Sequence, residues 1–477
     1  MITESMKEEA ERQYGELVML NGREDKIIAF NEQGFAKLYA LATPLVYLPA
    51  EKAFYCYDAS TGLWKMQSRE ELLDHLGLFL HEYAEVCGIP LVETKRNQSV
   101  LSSIIKFLSA TCNNPKFFHR SPRTYIHCAN GVLELDEQGE WGLKPFSPDY
   151  HSRNRCEISY APGQLAPRFL GELLNPLVEK DDVDLLQQYI GQCLTGKNIT
   201  QSILLLTGSG GSGKGTLANI VEKIVGDGNF TQIRPENIIG RFETSFFMNK
   251  TLLTGKESKT SFFTANGMSI LKSLVGDDTL RVEIKNSNQH EMINGVYNVF
   301  IVGNPTPFLE FESNEDRSAW YRRLRWVKCK NYKPAVPIAD FAGKLIAEEG
   351  PGILNWALAG AKTIILSGSS SMPRSELQAA RLDYLFSSAD PLTLFLSTAI
   401  QSNRGTTITG DELFAEFTKF SLAMEWQPWS QRKFQKQIRD AMIRLFQCSL
   451  RRDIQRKNAG GKFTNRAGFY HVKFRSE

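Results

Sequence analysis

Nine consecutive residues carry the most chemistry in this sequence: Gly208-Ser209-Gly210-Gly211-Ser212-Gly213-Lys214-Gly215-Thr216. Glycines let a backbone wind tightly, so that several N–H groups converge on one anion. A lysine at the end of such a loop adds a point charge for the β- and γ-phosphates, and a helix that starts there adds its dipole. The spacing meets the pattern GxxxxGK[ST] through Lys214, but Gly215 stands where that pattern has Ser or Thr. The hydroxyl comes one residue later, on Thr216, which binds magnesium directly, contacts a phosphate, or leaves the ion held through water. The chemistry expected is binding of a nucleoside triphosphate, ATP with Mg2+, by Gly208, Gly210, Gly211, Ser212, Gly213, Lys214, Gly215 and Thr216.

Such a loop needs a strand before it and a helix after it. Ser202–Leu206 is a short apolar run, the signature of a strand buried on both faces, and Leu217, Ile220, Val221 and Ile224 continue with helical spacing. Thr251–Thr254 and Tyr297–Val302 read as two more core strands, and Leu185–Leu194 as a helix closed by Thr195-Gly196. Glu257, at the tip of the second strand, is placed to orient an attacking water or to hold magnesium. Asn304 closes the third strand, where its amide can bond the γ-phosphate or the water. The segment Lys272–Asn288 suits a hairpin with a basic tip at Lys285. Arg322 and Arg323, in Asp316–Trp326, are candidates for a finger that stabilises charge on a transferring phosphoryl group. Their bland alternative is a surface salt bridge. A Gly-Lys-Gly-Thr ending also occurs in kinases of the adenylate kinase type, so the loop by itself does not separate a kinase from a motor.

The frame around these residues is a chain of 477 residues, long enough for about three domains. Hydrophobic residues make up 42% and charged residues 23%, which excludes a mainly disordered, collagen-like or coiled-coil protein. No stretch approaches the roughly 20 apolar residues of a membrane span. The acidic, polar start Met1–Arg12 is not a secretory signal. The eight cysteines are scattered without a CxxC pair, so neither a zinc ribbon nor a disulfide framework is expected, and the location expected is the cytoplasm. Ala53–Asp58 and Leu63–Met66 flank a Ser-Thr-Gly turn as a hairpin, and Glu70–Val86 suits an amphipathic helix. Ser367–Ser371 reads as part of a linker.

The total of 56 basic and 53 acidic residues conceals an asymmetry. From Ser430 to the end, thirteen Lys and Arg face three acids. Gln431–Phe446 has a helical pattern with apolar Phe434, Ile438, Met442, Ile443 and Leu445. A strand from Cys448, a glycine loop and a strand from Gly468 follow. That order resembles a winged helix with Lys457–Arg466 as the wing. Contacts to DNA phosphates are expected from Arg432, Lys433, Lys436, Lys457 and Lys462, against the plainer reading of a solvated basic surface or one facing an acidic partner.

Taken in order, these pieces resemble the superfamily 3 helicases, ring-forming AAA+ motors, and most closely the phage/plasmid primase-helicase family that includes the poxvirus primase-helicase. Asn130–Leu135, Phe146–Pro148 and Ile158–Pro162 are similar to the segment that precedes the ATPase there. The resemblance implies that Glu257 belongs to the Walker B motif and Asn304 to sensor 1. It also implies that Gly276-Asp277-Asp278 with Lys285 forms a hairpin gripping DNA in the ring channel, and that Arg322 or Arg323, the latter favoured, is the finger. Thr216 and Glu257 would hold magnesium. The fold expected is α/β: a P-loop AAA+ core at 186–366, an accessory α/β region at 1–110, a family-specific segment at 111–185, a linker at 367–390 and a winged-helix domain at 391–477. The activity implied is ATP-dependent DNA unwinding or translocation, 3′ to 5′, by a homo-oligomer, a hexamer by resemblance, on single-stranded and double-stranded DNA. About 110 residues precede the matching segment, too few for a polymerase fold, so no primer synthesis is expected and a separate primase or other replication proteins are the expected partners. The alternatives are an ATP-gated initiator or phage-defence ATPase that does not unwind, and a nucleotide kinase.

Overall fold

The computed structural model describes residues 2–118, 125–233, 238, 240, 243–258, 265–283, 290–304, 309, 311, 314–334, 337–388, 391–423, 429–457 and 461–475. The chain divides into two compact units, one of Met1–Ser258, Ser269–Pro305 and Arg323–Pro373, the other of Lys259–Met268, Thr306–Arg322 and Arg374–Glu477.

At the heart of the first unit is a five-stranded parallel sheet. Helix α1 (Lys180–Thr195) leads to β1 (Ile203–Thr207), and the glycine-rich loop leads to α2 (Lys214–Val225). In chain order there follow β2 (Phe230–Gln232), β3 (Leu252–Ser258), α3 (Ala265–Val275), β4 (Asn298–Gly303), α4 (Asn314–Arg323), β5 (Leu324–Lys328) and α5 (Phe341–Ser367), of which the start of α3 and all of α4 but Arg323 belong to the second unit. The strand order is β2-β3-β4-β1-β5. All five residues of β1 are buried, as its apolar run requires of a strand covered on both faces. Gly196 ends α1 in the left-handed region at φ 74°, where the sequence places the stop. Between β3 and β4 an antiparallel hairpin pairs Thr279–Glu283 with His290–Asn294.

Two glycines let α1 and α5 touch backbone to backbone. A Cβ on Gly191 would sit 2.2 Å from the Ala361 nitrogen, and one on Gly360 would sit 2.0 Å from the Gln187 oxygen. At the N-terminal edge of the sheet a buried amide network closes the strand ends. Gln192 Nε2 donates to Oδ1 of Asn198 and of Asn298, both at 2.9 Å. Asn198 Nδ2 donates to the carbonyls of Ser202 and Tyr297.

Preceding this sheet are four longer helices (Glu4–Tyr14, Glu32–Ala42, Arg69–Cys87, Gln98–Thr111) and two three-stranded antiparallel sheets. Ser68 and Glu71 form a reciprocal capping box, which is why the helix expected over 70–86 begins at Arg69. Arg153 fastens this region to the turn before β3. Its guanidinium donates to Glu51 Oε1 at 2.7 Å and to Asn249 Oδ1 at 2.5 Å, and lies 4.1 Å from the centroid of the Phe118 ring.

In the second unit, α6 (Glu376–Ser388) occupies most of the stretch expected as a linker. It buries Leu382, Leu385 and Phe386, so 367–390 is only in part a connection. Then come α7 (Pro391–Ala399), β6 (Ile400–Thr409), α8 (Gly410–Ala423), α9 (Gln431–Phe446), β7 (Arg451–Lys457) and β8 (Phe463–Phe474), with antiparallel order β6-β8-β7. Pairing of Lys457 with Phe463 through Ile454 with Arg466 draws 463–466 into the strand. The expected loop Lys457–Arg466 is therefore too long, and the strand expected from Cys448 starts at Arg451. No helix among the described residues is long and apolar enough to cross a membrane.

The Arg153 cluster carries a pH-dependent share of stability. Burial pushes the Glu51 carboxyl up, but the Arg153 charge and the bonds from Tyr55, Arg153 and Asn249 outweigh it and hold Glu51 below its ordinary value of 4.5. A carboxyl depressed in the folded state lends stability that is full above its unfolded value and is lost as pH falls through the folded one. Glu51→Gln is therefore expected to lower the melting temperature at about pH 7 and to leave less further loss on acidification to about pH 3, as thermal denaturation at both pH values will read.

Candidate functional site

The C-terminal edge of the parallel sheet opens on a cavity of about 800 Å³. Its lining brings together Gly210, Gly211, Ser212, Gly213, Lys214, Gly215 and Thr216 from the loop, Asn219 from α2, Lys256 from β3 and Asn304 from the end of β4. Open parallel sheets place ligands at this edge, because every strand delivers its following loop there.

Three glycines shape the loop for different reasons. A Cβ on Gly208 would lie 2.8 Å from Cys329 Cβ, so the chain leaves β1 hard against the residue after β5. Gly211 has φ 79°, and Gly213 has φ 103° with Leu173 Cδ1 only 2.9 Å from where its Cβ would sit. Gly215 differs: a Cβ there meets nothing within 4 Å. The departure from the usual hydroxyl residue is thus not forced by packing.

Lys214 is the electrostatic centre. Only 5% of it is exposed, and its Nζ donates to the carbonyls of Gly208 at 2.8 Å and Ser209 at 2.7 Å and to Ser212 Oγ at 3.3 Å. Burial pulls its pKa down, with a partial upward pull from Cys329. An ammonium has three donors, and the loop's own oxygens occupy all of them. Those partners are dipoles rather than charges, so an incoming phosphate can replace them with a stronger interaction.

A second cation comes from the strand tip. Lys256 Nζ donates to Asn219 Oδ1 at 2.7 Å and to Glu222 Oε2 at 2.6 Å, and Glu222 also accepts from Thr254 Oγ1 at 2.7 Å. Glu222 is buried, so this pair fixes Lys256 at the cavity floor. The backbone of Glu257 lies in β3, where pairing with β4 is irregular between Gly255 and Ser258. The Glu257 side chain and all of Lys285 lie outside the described residues.

Neither Arg322 nor Arg323 lines the cavity. Arg322 is exposed at the end of α4. Arg323 is half-buried, its Nη2 3.6 Å from where a Cβ on Gly276 would be, beside the turn before the hairpin. Arg325 is fully structural, donating to the Met372 carbonyl at 2.6 Å.

In the second unit, Arg432, Lys433, Lys436, Lys457 and Lys462 are all exposed. On α9 the buried residues Phe434, Ile438, Ala441 and Met442 form one stripe, and Arg432, Lys433, Lys436 and Arg439 lie off it. Ile443 and Leu445, counted in the apolar pattern from sequence, are exposed. Arg456 is used internally, with Nε donating to Glu412 Oε1 at 2.8 Å.

The sequence reading missed Asn219, Lys256 and the far wall of the cavity. Asn219 sits one helical turn after Thr216, and an i, i+3 spacing puts the two on one face of α2. Lys256 was readable as a charge beside Glu257. The far wall (Glu172, Leu173, Tyr332, Pro334, Pro337, Ile338, Phe341) comes from segments distant in the chain and carries no local signal.

Two family models match the chain. One is described as D5 N terminal like and covers residues 32–177. The other is a family of unknown function, DUF5906, and covers 206–323, from the end of β1 to the end of α4. No curated protein matches. Among solved structures, the apo structure of the NrS-1 C terminal region (305-718) is similar at 14% identity and a TM-score of 0.48, covering 93% of this chain and 99% of that one. The A form apo structure of the same region gives 14% identity and a TM-score of 0.47, covering 92% and 98%.

The loop geometry sets opposite outcomes for two glycines. Gly213→Ala is expected to destabilise the fold by about 1–3 kcal/mol, from its left-handed backbone and the Leu173 contact. Gly215→Ala enters open space in the first turn of α2 and is expected to be neutral or stabilising by up to about 1 kcal/mol. Thermal denaturation of the two variants will read the sign of each.

Proposed function

We propose that the chain is an ATP-dependent, ring-forming DNA helicase or translocase of the superfamily 3 AAA+ kind, acting in the replication of a mobile element. The observation that carries the reading is the cavity at the sheet edge, where the loop, a buried Lys214, Thr216, Lys256 and Asn304 converge. The strand order β2-β3-β4-β1-β5 supports an AAA+ core. The succession of α7, β6, α8, α9, β7 and β8, paired β6-β8-β7, supports a winged helix.

In this reading the β- and γ-phosphates of ATP take over the Lys214 ammonium from the Gly208 and Ser209 carbonyls, and the loop N–H groups bind their oxygens. Thr216 and Glu257 are the residues that would hold Mg2+, which supplies charge neutralisation on the phosphates. The open space at Gly215 leaves Thr216 as the hydroxyl at the start of α2. Asn304 orients the γ-phosphate or the attacking water. The exposure of Arg322 favours it over the packed Arg323 as the finger offered to a neighbouring subunit. Lys285 grips the single strand, and Arg432, Lys433, Lys436, Lys457 and Lys462 bind duplex phosphates. An ATP-gated initiator or defence ATPase that does not unwind is favoured instead if the second unit's DNA binding is all that ATP controls. A nucleotide kinase leaves that basic unit without a role.

ATP hydrolysis is expected to rise with single-stranded DNA and not with a small phosphate acceptor, and forked duplex is expected to be unwound by an oligomer seen in native mass measurements. Lys214→Ala is expected to abolish hydrolysis. Arg322→Ala is expected to be inactive alone and to regain partial activity when mixed with Lys214→Ala, as a finger acting between subunits requires. Hydrolysis that ignores DNA would overturn the motor reading. Joint replacement of Arg432, Lys433 and Lys436 by Ala is expected to weaken duplex binding and to reduce the salt slope by about 0.9 for each phosphate no longer neutralised. An unchanged slope would return the basic face to ordinary solvated surface.

A further inference from the structure

The cavity continues past the phosphate loop. Its volume of about 800 Å³ is in the range that encloses a whole small-molecule ligand, not a phosphate chain alone. One wall beyond the loop comes from the helical turn Phe169–Leu174, and the other includes Tyr332, Pro334, Ile338 and Phe341. Leu173 sets the order along the cavity. Its Cδ1 abuts Gly213, so Glu172, the residue before it, stands next to the phosphate end.

Glu172 is an anchored acceptor. Arg168 Nε donates to its Oε1 at 2.8 Å, and Arg168 Nη2 donates to its Oε2 at 3.1 Å. Arg168 is itself held by Glu348 and lies 5.9 Å from the Phe341 ring centroid, which ties the two walls together. A carboxylate has about four acceptor positions, and Arg168 uses one on each oxygen. Each oxygen therefore keeps capacity for a further donor, a match for the paired hydroxyls of a ribose. On the other wall Tyr332 leaves 40% of its surface exposed, and Pro334 and Ile338 belong to the same lining. An aromatic face flanked by apolar residues is the surface on which a heterocyclic base stacks.

We propose that this end of the cavity is a ribonucleoside subsite: Tyr332 stacks on the base, and Glu172 accepts hydrogen bonds from the ribose hydroxyls. Ribonucleoside triphosphates are thereby selected over their 2′-deoxy counterparts. The proposal rests on the reading of the glycine-rich loop as a triphosphate site.

Titration calorimetry on the full chain with ATP, dATP and inorganic tripolyphosphate, each with magnesium, separates the two ideas. ATP is expected to bind more tightly than dATP, and dATP more tightly than tripolyphosphate. Tyr332→Ala is expected to weaken ATP roughly tenfold while leaving tripolyphosphate unchanged, and Tyr332→Phe is expected to retain ATP affinity. Glu172→Ala is expected to remove the preference for ATP over dATP without altering tripolyphosphate binding. Unchanged tripolyphosphate binding also shows that each variant has kept its fold. The subsite is overturned if ATP binds no better than tripolyphosphate, or if Tyr332→Ala leaves their ratio unchanged. Loss of all three ligands in Lys214→Ala supports the loop reading independently. If the unaltered chain binds none of the three, the loop reading fails and takes the subsite with it.

Discussion

Much of this molecule is organised around one ammonium group that has been taken out of water and given only neutral partners. Lys214 is almost fully buried, and its three bonds run to two carbonyls and a hydroxyl of its own loop. Removing a charge from water is expensive unless it is paired, and the downward pull of burial on its pKa is the sign that pairing is incomplete. The oxygens that do reach Nζ can converge only because Gly211 and Gly213 take left-handed backbone angles and Gly208 lets β1 end against Cys329. The loop in turn hangs from β1, which is held on both sides by β4 and β5. A loop short of negative charge, on a rigid strand, is suited to an anion.

The two edges of the parallel sheet are built on opposite terms. At the N-terminal edge, Gln192, Asn198, Thr200, Ser202 and Asn298 are buried and joined in one network of neutral bonds. Groups satisfied in this way fix register without offering anything to a ligand. At the C-terminal edge two lysines are brought in, Lys256 bonded to the Glu222 carboxylate and Lys214 to neutral oxygens, and Asn304 is exposed. The contact of α1 with α5 at Gly191 and Gly360 belongs with the first edge, because it braces the helix from which Gln192 comes. Stability and ligand chemistry are thus weighted to opposite ends of the strands, with Gly213 a position where the two meet.

The parts legible in the sequence are those whose signal is local. Ile203–Thr207 is apolar because both its faces are covered, Gln431–Phe446 shows its buried stripe at helical spacing, and the glycine-rich loop announces itself by composition. The rest depends on partners far away in the chain. Lys256 matters through Glu222, 34 residues earlier. The linker expected at 367–390 holds only in part because Gly368–Ser371 do form a connection, while the helix Glu376–Ser388 within it buries Leu382, Leu385 and Phe386, which no local pattern identifies. Ile443 and Leu445 fit a helical pattern yet are exposed, since α9 already buries a complete stripe through Phe434, Ile438, Ala441 and Met442. Arg322 and Arg323 are adjacent in sequence and differ in burial, which spacing alone has no means of showing.

The charges on α9 are arranged against the helix's own interest. Its first turn holds no acidic residue and carries Arg432 and Lys433, with Lys436 one turn on, at the end where the backbone dipole is positive. Ser430 caps the first turn by accepting from the Lys433 nitrogen, and Lys433 Nζ rests 4.4 Å from the centroid of the Trp429 ring. These contacts hold the helix start in place. Each cation so placed costs roughly 0.3–1 kcal/mol relative to an acid at the same position. A protein concerned only with folding would put Asp or Glu there. The arrangement becomes favourable when a polyanion covers the same end, because its phosphates meet the dipole and the basic side chains together. Arg456, by contrast, is turned inward to Glu412 and stabilises the unit itself. The basic residues of the tail therefore differ in what they do for the fold: Arg456 stabilises it through Glu412, while Arg432 stands exposed at the positive end of a helix dipole.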